Sequence, residues 1–332
     1  MTTSREIVKQ TLAYAAPPRL AHSFPPDSDI VGAVAEIPNP QGEWRKVGES
    51  EWQRVDEWGN VWSRVDDTSK GEVSKGALED LDQVDTFPLP DFDNPNYYQK
   101  AAEIFAEYPH KYHLGGLHGM TFSIARYLRR FEQYLSDVLL EPEKIHRLHD
   151  RADEEILKQI IHLKRVGADA IFIVEDWGTQ LDMLVSPALF RTEFKPRFKR
   201  LIGAAKDLGM ATFMHSCGKM TKIIPDLIEC GVDVFEFDQP KVHGLDTLAH
   251  FQDDHQVTFW CPVDIQTTLQ TKNEAVIRAE ARRMIEMLWR GRGGFIAYFY
   301  PDNPSLGLEP QWQEIAFDEF QKASREYRKG GR

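Results

Sequence analysis

Cysteine is scarce in this chain of 332 residues: only Cys217, Cys230 and Cys261 occur. That is too few for a disulfide framework, so a reducing, cytoplasmic setting is expected. Long apolar runs are absent, none reaching ten residues, which leaves no candidate for a membrane-spanning helix. The opening residues Met1-Thr2-Thr3-Ser4-Arg5-Glu6 lack the apolar core of a secretory signal. Basic charge is in deficit, with 40 Lys and Arg against 52 Asp and Glu and a net charge of −12. A chain of that balance has no broad basic face for nucleic acid. No GxGxxG follows an apolar run, which removes the dinucleotide-binding fingerprint. Internal repeats and low-complexity tracts are missing too, apart from a basic tail, Arg325–Arg332, expected to fray.

What is present is a globular composition, 42% hydrophobic and 28% charged, with an alternation of short β-like and longer helical patterns. The β-like runs are Tyr112–Leu117, Ala168–Val174, Ala211–Met214, Val232–Phe237, Val257–Trp260 and Phe295–Tyr300. A first strand is expected at Arg19–Phe24, after an amphipathic N-terminal helix. Pro142 opens a helix that Gly167 closes, and Ser186-Pro187 reads as an N-cap and first-turn pair. Pro196 predicts a kink in the helix that ends at Gly209. Thr221 starts a short helix ended by Gly231, and Thr271 with Glu274 suggests a capping box. Strict β-then-α order predicts a parallel sheet with right-handed crossovers. Seven visible strands favour a (β/α)8 TIM barrel with one strand unseen over an open doubly wound sheet. On this reading residues 1–332 form a single barrel domain.

Residues 25–110 break the pattern. They are rich in Pro, Asp, Gly and Trp, with Trp44, Trp52, Trp58 and Trp62 close together. An N-terminal insertion is expected here, with hairpins around Asp56–Trp62, packed as a cap partly over the barrel mouth.

In a parallel barrel the strand carboxyl ends converge on one face. Here they carry His118, then Glu175, Asp176 and Gln180, then His215 and Cys217, then Asp238 and Gln239. Cys261 and Asp264 follow, and finally Tyr300 and Asp302. Residues two apart on a strand point to the same side, so His215 and Cys217 can aim an imidazole and a thiol at one spot. Zinc accepts that donor pair, but it needs three or four ligands. Cys261 is the proposed third ligand, with Glu175 and Asp176 as alternatives. Each residue also has a plainer reading. Asp264 and Asp302 fit helix caps, His118 a turn, and Cys261 and Cys230 small buried hydrophobes.

These segments resemble the uroporphyrinogen decarboxylase superfamily. The resemblance is carried by Glu175-Asp176-Trp177-Gly178-Thr179-Gln180, Ser186-Pro187, Lys195-Pro196 and His215-Ser216-Cys217-Gly218. It continues in Ile228–Val234, Gln239-Pro240, Asp264 and Gly293-Gly294-Phe295-Ile296. It implies a TIM barrel and, as branches, true porphyrinogen decarboxylases and zinc-dependent, corrinoid-linked methyltransferases. The decarboxylases carry an Arg-Gln-Ala-Gly-Arg run near the N-terminus, where this chain reads Ala15-Ala16-Pro17-Pro18-Arg19-Leu20. An octacarboxylate substrate without a cationic cradle is physically implausible. The methyltransferase branch is similar in its His-x-Cys-Gly; its further cysteine near the last strand has no counterpart in Phe299–Pro301.

The resemblance implies methyl transfer between a small methylated compound, such as a methyl ether or amine, and a corrinoid on a partner protein. Zinc would be bound by His215, Cys217 and Cys261, with Glu175 or Asp176 as catalytic acid. His118, Gln180, Asp238, Gln239, Asp264 and Asp302 would bind substrate. The alternative is a metal-independent decarboxylase of a uroporphyrinogen-like or smaller cyclic or aromatic acid, with Asp176 or another mouth carboxylate assisting protonation and His118 or His215 holding the carboxylate. A non-catalytic binding protein that docks a partner through the Trp-rich insertion is a third reading. A homodimer is also implied by the resemblance.

Overall fold

Short apolar segments, each with side chains alternating between two faces, build the main sheet. A computed structural model describes residues 2–330. Its strands are β1 (Ala21–His22), β2 (Ile30–Val34), β3 (Arg45–Gly48), β4 (Glu51–Val55), β5 (Val61–Arg64) and β6 (Glu72–Lys75). Then come β7 (Tyr112–Gly116), β8 (Ala170–Val174), β9 (Ala211–His215), β10 (Val234–Glu236), β11 (Thr258–Cys261) and β12 (Phe295–Ala297). Eight of them form one sheet in the order β1-β12-β11-β10-β9-β8-β7-β2, and every pairing in it is parallel.

The sheet curls. All eight strands feed one buried apolar cluster through Ala21, Ile30, Leu114, Ala170, Phe213, Val234, Trp260 and Ile296. Among the described residues no ladder joins the edge strands β1 and β2, but the Asp29 N–H donates to the His22 carbonyl at 2.8 Å. The arrangement is consistent with a TIM-like barrel. The opposite faces of the same strands, including Ile171, Ile173, Phe235, Phe259 and Cys261, pack among the surrounding helices.

One end of the sheet is closed early in the chain. The helix Ser4–Leu12 begins with the Thr3–Glu6 capping box and sends Ile7 and Val8 into the interior cluster. Its residues bond to the segments entering the strands: Arg5 to His110 and Asp169, Thr11 to Gly294. The amino ends are therefore plugged and the carboxyl ends are left for chemistry.

Several expectations are corrected. The strand missing from the sequence reading is β2, which lies inside the segment assigned to the insertion. Its ladder with β7 runs from Ile30–Tyr112 to Val34–Gly116, so part of residues 25–110 belongs to the main sheet. The Trp-rich stretch forms a separate antiparallel sheet, β3-β4-β5-β6, with the expected hairpin at Asp56–Asn60. Pro196 does not simply kink its helix. The turn before it, Phe190–Phe194, widens to π geometry, which accommodates a residue lacking an N–H and crowding the preceding turn. Ser186 is the N-cap expected, accepting from Leu189 N. Thr271 is not a cap, because Asn273 accepts from Ala275 N and Val276 N while the Thr271 hydroxyl turns back to Thr268. The basic tail is helical as far as Gly330; Gly331 and Arg332 lie outside the described residues. No helix among the described residues is long and apolar enough to cross a membrane.

Candidate metal centre and its cavity

Strand phase decides which polar groups meet. On β8 the residues Ala170 and Phe172 belong with the interior cluster, and on β9 Phe213 does. Continuing the alternation, Asp176 leaves β8 on the interior side, and His215 and Cys217 leave β9 the same way. On β10 the interior phase is Val234, then Glu236 and Asp238. The ladders place His215 beside Glu236.

Three donors converge. His215 Nε2 lies 3.4 Å from Cys217 Sγ and 3.5 Å from Asp176 Oδ1. Asp176 Oδ1 also accepts from the Cys217 N–H at 2.8 Å, tying the ends of β8 and β9 together. The other ring nitrogen, His215 Nδ1, is bonded to Glu236 Oε2. When Nδ1 carries the proton, Nε2 presents a lone pair towards the thiol and Asp176. A carboxylate–imidazole pair of this kind is how metal-binding histidines are oriented. Asp176, His215 and Cys217 place one ligand atom each within 4.8 Å of one another, and so do His215, Glu236 and Asp238.

The charges of the cluster are strongly perturbed. Burial disfavours the His215 imidazolium, but Glu236, with help from Asp176 and Cys217, outweighs it and lifts its pKa well above the ordinary value. Asp176 is likewise penalised by burial, yet His215 and the Cys217 amide hold its carboxyl far below the usual range. Asp238 moves the other way. Burial, then the neighbouring Glu236, pushes it up to about 8. Burial raises the Cys217 thiol, with His215 partly opposing. Glu236 Oε1 and Asp238 Oδ1 are buried without a hydrogen-bond partner among the described residues. Such orphaned acceptors, beside a His, Cys and carboxylate donor set, fit a borderline divalent cation such as zinc.

Other expected site residues stand elsewhere. Cys261 joins neither group: interior Trp260 precedes it, so its fully buried side chain turns outward among the helices. Glu175 also takes the outward phase. Its Oε1 accepts from Ser123 N at 2.6 Å near the start of the helix Thr121–Arg129, and burial pushes its pKa up to about 8. His118 bonds Glu57 Oε1 at 2.6 Å and the Ala35 carbonyl at 2.8 Å. Gln180 donates to Gln239 at 2.7 Å. Asp264 accepts from Gln266 N and Thr267 N, the turn-capping role its position allowed. Asp302 is half-buried, its carbonyl accepting from Ser305 Oγ. Cys230 is a buried thiol at a helix end, as expected.

Glu236 went unread, although a charged residue inside Val234-Phe235-Glu236-Phe237, two before Asp238, is the signal that marks it. Lys70 was also missed. It is carried by the segment between β5 and β6 and lies over the Tyr300 ring at 5.5 Å; burial disfavours its ammonium, but Tyr300, with lesser help from Cys217 and Asp238, outweighs burial and raises its pKa. No local pattern in the sequence points to either contact of Lys70.

Beside the metal-capable group lies a cavity of about 200 Å³ that shares Asp176 with it. Its walls include Trp58 and Trp62 from the antiparallel sheet, the His118-Gly119 turn, and Arg126 with Tyr127. The Trp58 indole donates to the His118 carbonyl at 3.2 Å, which anchors that sheet to the loop after β7.

The curled parallel sheet and the His–Cys–carboxylate group at its carboxyl ends define an α/β protein, consistent with a TIM-like barrel, with a metal-capable centre. The chain belongs to the uroporphyrinogen decarboxylase family, whose model, Uroporphyrinogen decarboxylase (URO-D), matches residues 65–327. Over 121 residues it is 26% identical to the methylated-thiol–coenzyme M methyltransferase of Methanosarcina mazei. That match covers 36% of this chain and 32% of the relative, so it spans about a third of the relative's length. A solved structure, a methyltransferase from Methanosarcina mazei, superposes with a TM-score of 0.61 at 15% identity, over 98% of this chain and 86% of that one. At that identity the likeness speaks to the fold.

Proposed function

We propose that this protein is a zinc-dependent methyltransferase that moves a methyl group from a small methylated compound, such as a methyl ether or amine, to a corrinoid on a partner protein. The observation that carries the reading is the convergence of His215 Nε2, Cys217 Sγ and Asp176 Oδ1, with His215 Nδ1 bonded to Glu236. Membership of the family and the likeness to a methyltransferase over part of the chain support it. The small cavity does too, since about 200 Å³ suits a compact substrate.

His215, Cys217 and Asp176 would hold the zinc, which would act as a Lewis acid on the heteroatom that bears the methyl group. Glu236 fixes the imidazole tautomer. Asp238, whose carboxyl pKa is raised by burial and then by Glu236, would be the group to supply, at neutral pH, a proton to the oxygen or nitrogen left behind as the methyl departs. Asp176, held ionised, is a poor acid at that pH. Glu175 acts from outside the centre, anchoring the start of the helix that carries Arg126. The antiparallel sheet β3–β6 would cover the mouth, presenting Trp58, Trp62 and Lys70.

The test is methyl transfer to free reduced cobalamin, followed by its absorbance, with zinc-loaded protein and a panel of methyl ethers, amines and thioethers. Transfer that disappears in His215→Ala plus Cys217→Ala is expected. No transfer from any donor, or undiminished transfer in the double variant, would reject the reading. Metal-independent release of carbon dioxide from an aromatic acid would favour decarboxylation instead.

A further inference from the structure

Arg126 is a buried cation that the chemistry above does not use. Its residue is 8% exposed, and among the described residues it forms no ion pair. Among the described residues its side chain makes one hydrogen bond, from an Nη to the Tyr127 hydroxyl at 3.1 Å, and its Nε is buried without a partner. The guanidinium lies 5.0 Å from the Phe122 ring centroid and 4.9 Å from that of Tyr127. A buried guanidinium left with unused donors is costly unless a ligand supplies the acceptors.

The carboxylates around the same cavity are already engaged. Asp56 accepts from Trp58 N, Asn60 and Trp62 Nε1. Glu57 is paired with His118, and Asp176 faces His215 and Cys217. A second cation, Arg54, is packed between the Trp44 and Trp62 rings at 5.2 Å from each and also has a buried, unpartnered Nε. The cavity thus offers guanidinium donors without acceptors, flat aromatic walls and room for one substituted ring, with Asp176 of the metal-capable group on its border.

We infer that the cavity binds a small aromatic carboxylate, its carboxylate on Arg126 and its ring against Trp62 and Tyr127. Resting on the proposed methyl transfer, this makes the substrate class a methoxylated aromatic acid whose methyl group is directed towards the metal centre. An Arg–carboxylate pair gives two parallel charge-assisted bonds, and the neutral amide of the same shape cannot reproduce them.

The test is equilibrium binding to the full-length protein, read by quenching of indole fluorescence, with 4-methoxybenzoate and 4-methoxybenzamide as probes. The acid is expected to bind roughly tenfold or more tightly than the amide. Arg126→Gln should bring the acid down to the amide's affinity, while Arg126→Lys keeps part of the preference. Equal binding of the two probes, binding of neither, or an unaltered preference in Arg126→Gln would overturn the inference. So would hydroxocobalamin binding that is lost in Arg126→Gln while the acid still binds, since the cation would then serve the corrinoid. If Arg126→Gln does not fold, the contrast between acid and amide on the unaltered protein and on Arg126→Lys decides. Binding is read without turnover, so failure here leaves methyl transfer standing, and failure of methyl transfer leaves the binding result standing.

Discussion

Glu175 and Asp176 are adjacent in sequence and carry the same charge in water, yet the alternation of strand β8 sends them to opposite faces. Asp176 meets an imidazole and is held ionised; Glu175 enters a dry pocket with one backbone donor and keeps its proton. Its pKa rises from the ordinary 4.5 to about 8, chiefly through burial, with the Ser123 N–H and Arg126 opposing. The folded form therefore binds more protons than the unfolded chain between these values. The stability this supplies is complete below pH 4.5 and is lost as pH rises through about 8. Glu175→Gln keeps an acceptor for Ser123 N but cannot ionise. Its thermal midpoint should fall less than that of the unaltered protein between pH 5 and pH 9, as melting curves across that range would show; parallel curves would contradict the assignment. At the other end of the site, Glu236→Gln loses the anionic partner of His215 Nδ1. Zinc affinity, measured by competition with a chromophoric chelator, should weaken roughly 10–100-fold.

At the scale of elements, the loops after β8 and β9 are interlocked. A Cβ on Gly218, whose φ is +75°, would meet the Gly178 carbonyl oxygen at 2.2 Å, and Lys219 N bonds the Thr179 carbonyl at 2.7 Å. This contact holds Asp176 and Cys217 at their present spacing. Gly218→Ala should cost at least about 2 kcal/mol in denaturant unfolding and weaken metal binding as well. Gly203, inside the helix Lys195–Asp207 with nothing within 4 Å of its would-be Cβ, supplies the contrast. Gly203→Ala should gain about 0.5–1 kcal/mol and leave the metal site alone. The same alternation that brings His215 and Cys217 together in the sequence also assigns Cys261 and Glu175 outward and Glu236 inward. Those three positions are legible, but only with strand limits known to one residue, since a slip of one exchanges the faces. The segments beyond the ends of β8, β11 and β12 mix polar residues with apolar ones such as Trp177, Val263, Ile265 and Phe299, and without strand limits their polar positions have no phase. Capping residues such as Ser186 and the Thr3–Glu6 pair act over three positions and are easier to place than Asn273, where two polar candidates stand close together.

Over the whole molecule, the β-then-α rhythm from Tyr112 onward is enough to predict a parallel sheet. The strand that escapes the sequence pattern, β2, has its partner β7 far along the chain and sits next to a Pro- and Asp-rich stretch that masks its apolar run. The docking of the antiparallel sheet, with Trp58 on His118 and Lys70 over Tyr300, depends on contacts between distant segments that no local pattern encodes. The curled sheet, plugged at its amino ends by the N-terminal helix, leaves its carboxyl ends for Asp176, His215, Cys217, Glu236 and Asp238. Three of these, Asp176, His215 and Cys217, are proposed to hold a metal ion. The most direct measurement is metal analysis of the purified protein, joined to anomalous diffraction at the zinc edge. One zinc per chain is expected, with an anomalous peak between His215 Nε2, Cys217 Sγ and Asp176, and none in His215→Ala plus Cys217→Ala. Absence of bound metal after incubation with zinc, or a peak that survives the double substitution, would contradict it.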